Sequence, residues 1–132
     1  MTTQPDYEAN KAVLIAELAQ LGIKHTPQKI VRITKLSEGK IIFLEEGDDE
    51  RGLQHILAKA KQFANIGINE DEILDAVMAA VTTGKIVGYQ GKSHNKPRAI
   101  YEFTFKGDTK FISLSVANNG YIVGANPRTK PK

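Results

Sequence analysis

A histidine and a lysine stand one helical turn apart in the segment 52–63, and this pair could act on a phosphodiester bond. His55, Lys59 and Gln62 follow an i, i+4, i+7 spacing, which places them on one face of a predicted helix. An imidazole can take up a proton near neutral pH, and a neighbouring ammonium can stabilise a charged phosphate. Such a pair suits RNA cleavage without a metal, in which a base removes the 2′-hydroxyl proton and the oxygen attacks the adjacent phosphate. The spacing by itself is also typical of structural or solvated side chains.

Other kinds of catalytic site are not indicated. The three histidines, His25, His55 and His94, are far apart and have no metal-ligand spacing, so we expect neither a catalytic metal nor a cofactor. The run Gly91-Lys-Ser resembles the end of a Walker motif, but Ile86 stands where that motif requires its first glycine. A serine-hydrolase elbow, Gly-x-Ser-x-Gly, is missing as well.

The charge of the chain is distributed unevenly. Residues 84–132 hold nine basic and two acidic residues, a net charge of +7, whereas residues 1–83 hold nine and thirteen, a net charge of −4. A basic half of a small domain suits a polyanion, although a solvated surface with a basic tail would give the same balance. The acidic run 45–50 is predicted to be a loop, or a contact surface for a basic partner.

Length and composition predict one domain over residues 1–132, with residues 1–22 as a helix that could be an accessory segment. The chain has no cysteine and 41% apolar residues, so packing alone must hold the fold. Its N-terminus is neither basic nor apolar and no apolar run reaches 18 residues. We therefore expect no signal peptide and no membrane span.

The elements that must position these residues are three helices followed by strands. Apolar periodicity predicts helices over 7–21 and 51–65, and a third helix that starts at Asn69. Asn69 and Glu72 have the spacing of a capping box. Strands are predicted at 29–36 and 40–44 as a hairpin, and then at 85–90, 99–105, 110–116 and 121–125. This order predicts an α+β fold with helices packed on a twisted antiparallel sheet.

Seven segments, in order along the chain, form a recognisable series. They are Gly22-Ile-Lys24-His25-Thr-Pro27, Phe43-Leu-Glu45, Gly52-Leu-Gln-His55-Ile, Gly67-Ile, Gly84-Lys-Ile-Val-Gly88-Tyr-Gln-Gly91, Arg98-Ala-Ile-Tyr101-Glu and Asn119-Gly…Asn126-Pro127. Together they resemble the C-terminal toxin domains of contact-dependent inhibition and related polymorphic toxin systems. These domains belong to the barnase–EndoU–colicin–RelE group of small ribonucleases. The stretch Lys59-Ala60…Phe63 also resembles the Lys-His…Phe helix of colicin D, a tRNA anticodon-loop nuclease.

The resemblance implies a metal-independent toxin endoribonuclease that cleaves RNA, plausibly tRNA. It also implies a cognate immunity protein as partner, and delivery as an effector domain into the bacterial cytoplasm. We expect the catalytic group to comprise His55, Lys59, position 60, Arg98, Tyr101 and Ser113, and we expect RNA contacts from Lys61, Lys92, His94 and Lys96.

Ala60 departs from the pattern of the family. Helices of this kind carry a second histidine at that position, where it acts as the acid–base group, so the resemblance implies impaired activity here. Three explanations fit. Alanine could simply be a small residue on the buried stripe of the helix, the histidine could have been lost naturally, or it could have been replaced so that a toxic enzyme could be produced. A non-catalytic RNA- or protein-binding module of the same fold is the competing function.

Overall fold

A four-stranded antiparallel sheet with helices packed against it forms the main body of the protein, and a two-stranded hairpin forms a second sheet. The computed structural model describes residues 4–90 and 98–128. Within those ranges the helices are α1 (Gln4–Gln20), α2 (Leu53–Leu57), α3 (Ala60–Ala64) and α4 (Ile73–Thr83), and the strands are β1 (Ile30–Lys35), β2 (Ile41–Glu45), β3 (Lys85–Gln90), β4 (Arg98–Phe105), β5 (Asp108–Val116) and β6 (Ile122–Arg128).

The predicted α+β fold is confirmed, and the larger sheet is a simple meander in the order β3-β4-β5-β6. Each connection within it that the structure describes is a short turn. Between β4 and β5, Lys106 and Gly107 both have positive φ, at 54° and 85°, as a two-residue hairpin turn requires. Between β5 and β6 the chain turns through Asn118-Asn119-Gly120, as predicted.

The two faces of the larger sheet differ in character because side chains alternate along each strand. Phe103, Ile112, Leu114 and Ala125 point to one face, where they join the apolar cluster formed with α2, α3 and α4. The register places Arg98, Ser113, Ser115 and Asn126 on the other face. We call these the helix face and the polar face.

The hairpin β1–β2 is sandwiched between two apolar clusters. On one side of β2, Ile42 and Leu44 join the main cluster. On the other side, Ile41 and Phe43 pack with Leu14 and Leu18 of α1, among others. Every residue of β2 is buried, so this strand does not show the alternation of a half-exposed strand. Helix α1 is thus packed against the rest of the chain through its apolar stripe.

The predicted single helix over 51–65 is wrong, since the segment forms two short helices that meet at Ala58–Lys59. The Lys59 N–H bonds back three residues to Ile56, and Lys59 itself has φ −102° and ψ 21°, outside the helical range. Its carbonyl then accepts the N–H groups of Gln62 and Phe63 and starts α3. His55 and Lys59 therefore do not lie on one regular helix face.

The predicted start of the next helix is confirmed. A capping box joins Asn69 and Glu72, and the Asn69 N–H donates to the Glu72 carboxylate over 2.9 Å. A short 3₁₀ turn, Glu70–Glu72, precedes α4, whose buried residues include Ile73, Val77 and Ala80. Within the described ranges, no helix has the length and apolar character needed to cross a bilayer.

The two sheets are joined at Gly120, and we predict that this residue tolerates no side chain. The Phe43 N–H donates to the Gly120 carbonyl over 2.9 Å, and a methyl group on Gly120 would lie 2.1 Å from the Ile41 oxygen. Gly120→Ala should lower the free energy of unfolding by about 2 kcal/mol more than Gly39→Ala, because overpacking adds to the cost of positive φ. Urea denaturation measures both values.

Gly39 is the matched control for this comparison. Its φ of +100° is nearly that of Gly120, at +97°, but nothing lies within 4 Å of the position of its missing methyl group. Equal losses in the two variants would mean that the contact with Ile41 is relieved at no cost, contrary to our expectation.

Candidate active site

A tight loop before α2 fixes the position of His55. The Asp48 carboxylate accepts the N–H groups of Glu50 and Arg51, and the Asp48 N–H donates to the Arg51 carbonyl. The hydrogen bond from Glu50 is the main reason that the pKa of the Asp48 carboxyl lies below its usual value. Gly52 closes the loop, and its N–H donates to the Val123 carbonyl at the outer edge of β6. The loop therefore seats α2 along that edge.

The imidazole of His55 is held in one tautomer. Its Nδ1 lies 2.7 Å from the Asp49 carbonyl oxygen, which can only accept a hydrogen bond, so Nδ1 carries the proton. The Nε2 edge lies over Gly124 of β6, where a methyl group would be 3.3 Å from Cδ2 and 3.6 Å from Nε2. In the neutral ring with its proton on Nδ1, the lone pair is on Nε2.

The register of the sheet aligns three residues in a row that crosses the strands and ends under this imidazole. Arg98, Ser115 and Gly124 are cross-strand neighbours on β4, β5 and β6, and all three belong to the polar face. The Arg98 Nε donates to the Ser115 hydroxyl over 3.2 Å, so a neutral oxygen is the partner of this guanidinium. His55 and Arg98 thus lie at the two ends of one row across the sheet.

Lys59 is a second cation whose charge interacts with that of Arg98. Partial burial lowers the pKa of the Lys59 ammonium, and the positive charge of Arg98 lowers that pKa further. An electrostatic effect of this kind requires the two cations to be close together. Among the residues that the structure describes, the ion pairs involve neither of them; they are Arg32–Asp75, Lys35–Glu17, Arg51–Glu50 and Lys106–Glu72. Two cations without an ion-pair partner among these residues suit the binding of an anion.

The neighbouring rows add two buried donors that the sequence did not single out. The side-chain nitrogen of Asn126 and the Nε of Arg128 are buried and have no hydrogen-bond partner among the described residues. Buried donors are almost always paired, so unpaired ones are expected where a ligand supplies the acceptor. Both residues follow Gly124 at intervals of two along β6 and therefore share its face. Because side chains two residues apart lie on the same face of a strand, the spacing of Asn126 and Arg128 after Gly124 is the sequence signal that could have identified them.

The predicted catalytic residues are only partly brought together. His55 and Arg98 lie at the two ends of one row of the polar face, and the charges of Lys59 and Arg98 interact. The alternation of β4 places Tyr101 on the helix face beside Ile112, which corrects the expectation that it joins Arg98. Partial burial there raises the pKa of the Tyr101 phenol. Ser113 has the predicted face but is fully buried, so Ser115 supplies the accessible hydroxyl.

Position 60 and the predicted RNA contacts are placed as follows. Ala60 is the first residue of α3 and packs against the main apolar cluster, and Lys61 is exposed beside it. The predicted contacts Lys92, His94 and Lys96 lie outside the described residues. Within the described residues, no three His, Asp or Glu side chains are grouped so that they could hold a metal ion.

No model of a known protein family matches this sequence, and no curated protein is significantly similar to it.

We predict that the polar face binds inorganic phosphate through Lys59 and Arg98. Bound anion relieves the repulsion between the two cations, so phosphate at ten times its Kd should raise Tm by about 5 °C. Arg98→Gln and Lys59→Gln should each remove most of this increase. A thermal melt with and without phosphate, followed by circular dichroism, measures the effect.

The matched control is Lys40→Gln, which removes an exposed cation from the β1–β2 turn. Phosphate also stabilises folded proteins by exclusion from their surface, and that effect is common to all variants. An increase of the same size in all four proteins would show that the polar face holds no specific anion.

We also predict that Gly124→Ala displaces the His55 imidazole. The added methyl group would lie 3.3 Å from Cδ2, tighter than ordinary contact, so the ring must shift relative to Asp49. The imidazole nitrogen resonances in ¹⁵N NMR report both the position and the tautomer of the ring. Gly88→Ala is the control, because its methyl group would be 3.8 Å from the nearest atom, in Ile100. Unchanged His55 resonances in Gly124→Ala would contradict the placement of the ring.

Proposed function

We propose that this protein is a metal-independent endoribonuclease that cleaves by attack of the 2′-hydroxyl on the adjacent phosphate. The observation that carries the proposal is the row across the polar face, with the His55 imidazole over Gly124 at one end and Arg98 at the other, and with Lys59 close enough to Arg98 for their charges to interact. The basic balance of the C-terminal half supports a polyanionic substrate.

Each group has a role in the proposed reaction. His55 Nε2 accepts the proton of the 2′-hydroxyl, and the O2′–P bond forms as the P–O5′ bond breaks, which leaves a 2′,3′-cyclic phosphate and a 5′-hydroxyl. Lys59 and Arg98 stabilise the extra negative charge that develops on the phosphoryl oxygens. The guanidinium is suited to this because its fork can bind two phosphate oxygens at once.

The departing 5′ oxygen also needs a proton, and this requirement explains the importance of position 60. His55 is the only imidazole that the described residues bring to the polar face, and it is engaged as the base. A histidine at position 60, in the place of Ala60, would be the acid that protonates the leaving group. We therefore propose that the protein as it stands is slow, since water must supply this proton.

The sequence resemblance extends the proposal to a biological role. Similarity to the toxin domains of contact-dependent inhibition systems supports an effector that is delivered into a bacterial cytoplasm and cuts tRNA there. It also supports a dedicated immunity protein as the partner that neutralises it.

A non-catalytic RNA-binding module is the second candidate, and one observation favours it. The methyl group of Ala60 packs against the main apolar cluster, so alanine suits this position as a structural residue. A face with two cations and one imidazole would then hold RNA without cutting it.

We predict that this protein cuts total bacterial RNA slowly in the presence of EDTA, and that Ala60→His raises the rate by about a hundredfold or more, as an added general acid does. Discrete fragments on a denaturing gel, with 2′,3′-cyclic phosphate ends, are the expected product. If RNA stays intact with both proteins, and both are folded, the ribonuclease is excluded and the binding module is favoured.

The same gel tests the roles of the cations in the Ala60→His background. Arg98→Gln and Lys59→Gln should each lower the rate by about a hundredfold, since each removes charge that stabilises the transition state. Lys40→Gln should leave the rate unchanged. Equal cleavage rates in these three variants would mean that the reaction takes place elsewhere on the molecule.

A further inference from the structure

A separate cavity of about 330 Å³ is lined in part by Arg51 of the loop before α2, and the proposed mechanism does not use it. Its volume is at the lower end of the range for small-molecule pockets, about 300–1,000 Å³. The residues whose chemistry bears on a ligand are Lys24, His25, Glu45, Arg51, Asn119 and Tyr121.

A buried carboxylate determines which ligand groups this cavity can bind. Glu45 is only 7% exposed, and one of its oxygens accepts the Thr26 N–H over 2.8 Å. No ion pair to Glu45 exists among the described residues. A carboxylate accepts hydrogen bonds at both oxygens and donates none, so a ligand that meets Glu45 must present N–H or O–H groups.

Two aromatic rings form the sides of the cavity. His25 and Tyr121 both pack edge-on against the buried ring of Phe43, with centroid distances of 6.5 Å and 5.6 Å. The Nδ1 of His25 is 2.7 Å from the Ile23 carbonyl oxygen and so donates to it, which fixes the ring. Burial raises the pKa of the Tyr121 phenol, and the negative charge of Glu45 raises it further. Rigid rings beside a carboxylate suit a flat, heterocyclic ligand.

The remaining polar groups have complementary roles. The Asn119 side-chain oxygen accepts the Tyr121 N–H over 3.1 Å, which leaves its amide nitrogen as a donor. Lys24 and Arg51 add two cations to the lining of the cavity. The cavity therefore combines an acceptor, a donor, aromatic rings and positive charge for a flanking phosphate.

We infer that this cavity binds a guanine base. Among the four RNA bases, only guanine presents two adjacent donors, N1–H and the 2-amino group, which a carboxylate can accept together, with the O6 acceptor beside them for Asn119. Adenine and cytosine present an acceptor next to their amino group, and uracil places its single N–H between two carbonyls. Each of these would set an acceptor against Glu45.

The position of the cavity relative to the polar face makes it a specificity site. Val123 lines the cavity, and the next residue, Gly124, lies under the His55 imidazole. Arg51 also lines it, four residues before His55. A guanosine in the cavity would therefore belong to a substrate that also reaches the adjoining edge of β6, where His55 lies. This assignment to an RNA substrate rests on the proposed function, whereas binding of the base does not.

Isothermal titration calorimetry with the four nucleoside 3′-monophosphates tests the inference without any cleavage. Guanosine 3′-monophosphate should bind at least about tenfold more tightly than the adenosine, cytidine and uridine compounds, which is the discrimination expected of a bidentate base contact. In Glu45→Gln this preference should be lost, because the amide nitrogen meets guanine donors with its own N–H groups.

Glu46→Gln is the control, since Glu46 is the next residue, is exposed and carries the same charge. Its preference for guanosine 3′-monophosphate should equal that of the unmodified protein. The titration of the unmodified protein is by itself a sufficient test. Equal affinity for all four nucleotides, or no saturable binding of the guanosine compound, would overturn the inference. Guanine binding without RNA cleavage would leave the pocket in place and reject the nuclease. RNA cleavage without a preference for the guanosine compound would support the nuclease and reject the guanine pocket.

Discussion

The hydrogen bond from the Gly52 N–H to the Val123 carbonyl is the contact on which both candidate sites depend. It attaches the loop before α2 to the free edge of β6. On one side of this contact His55 lies over Gly124, and on the other side Arg51 and Val123 line the cavity beside Glu45. The contact also covers part of a sheet edge that would otherwise expose unpaired backbone groups. Part of the remaining edge is covered where Phe43 pairs with Gly120 and Tyr121.

The polar face is arranged at a cost to stability. Lys59 and Arg98 repel each other, neither forms an ion pair among the described residues, and Asn126 and Arg128 hold buried donors without partners there. A surface selected for stability alone would place a carboxylate between such cations. The apolar contacts on the opposite face of the same sheet, through Ile112 and Leu114, hold the strands in register against this repulsion.

The break at Ala58–Lys59 changes how the resemblance to a colicin-like helix should be read. In a continuous helix, position 60 would follow Lys59 on a fixed spiral, one residue further around the axis. Here Lys59 begins a new helix, and Ala60 turns its methyl group into the apolar cluster. A histidine at position 60 would therefore have to turn away from that cluster to reach the polar face.

The sequence by itself determined most of the elements, because they rest on local physics, but it did not reveal the break between α2 and α3. The α+β order, the capping box at Asn69, the hairpin turns and the alternation of β5 all follow from periodicity and turn chemistry within a few residues. Only the tertiary structure decided which side chains meet. Strand alternation already separates Arg98 from Tyr101, which are three residues apart, but it could not tell which of the two faces of β4 the helices would cover. Likewise, Glu45 and Tyr121 lie in segments with no local signal in common, and only the packing of β2 beside the start of β6 brings them into one cavity.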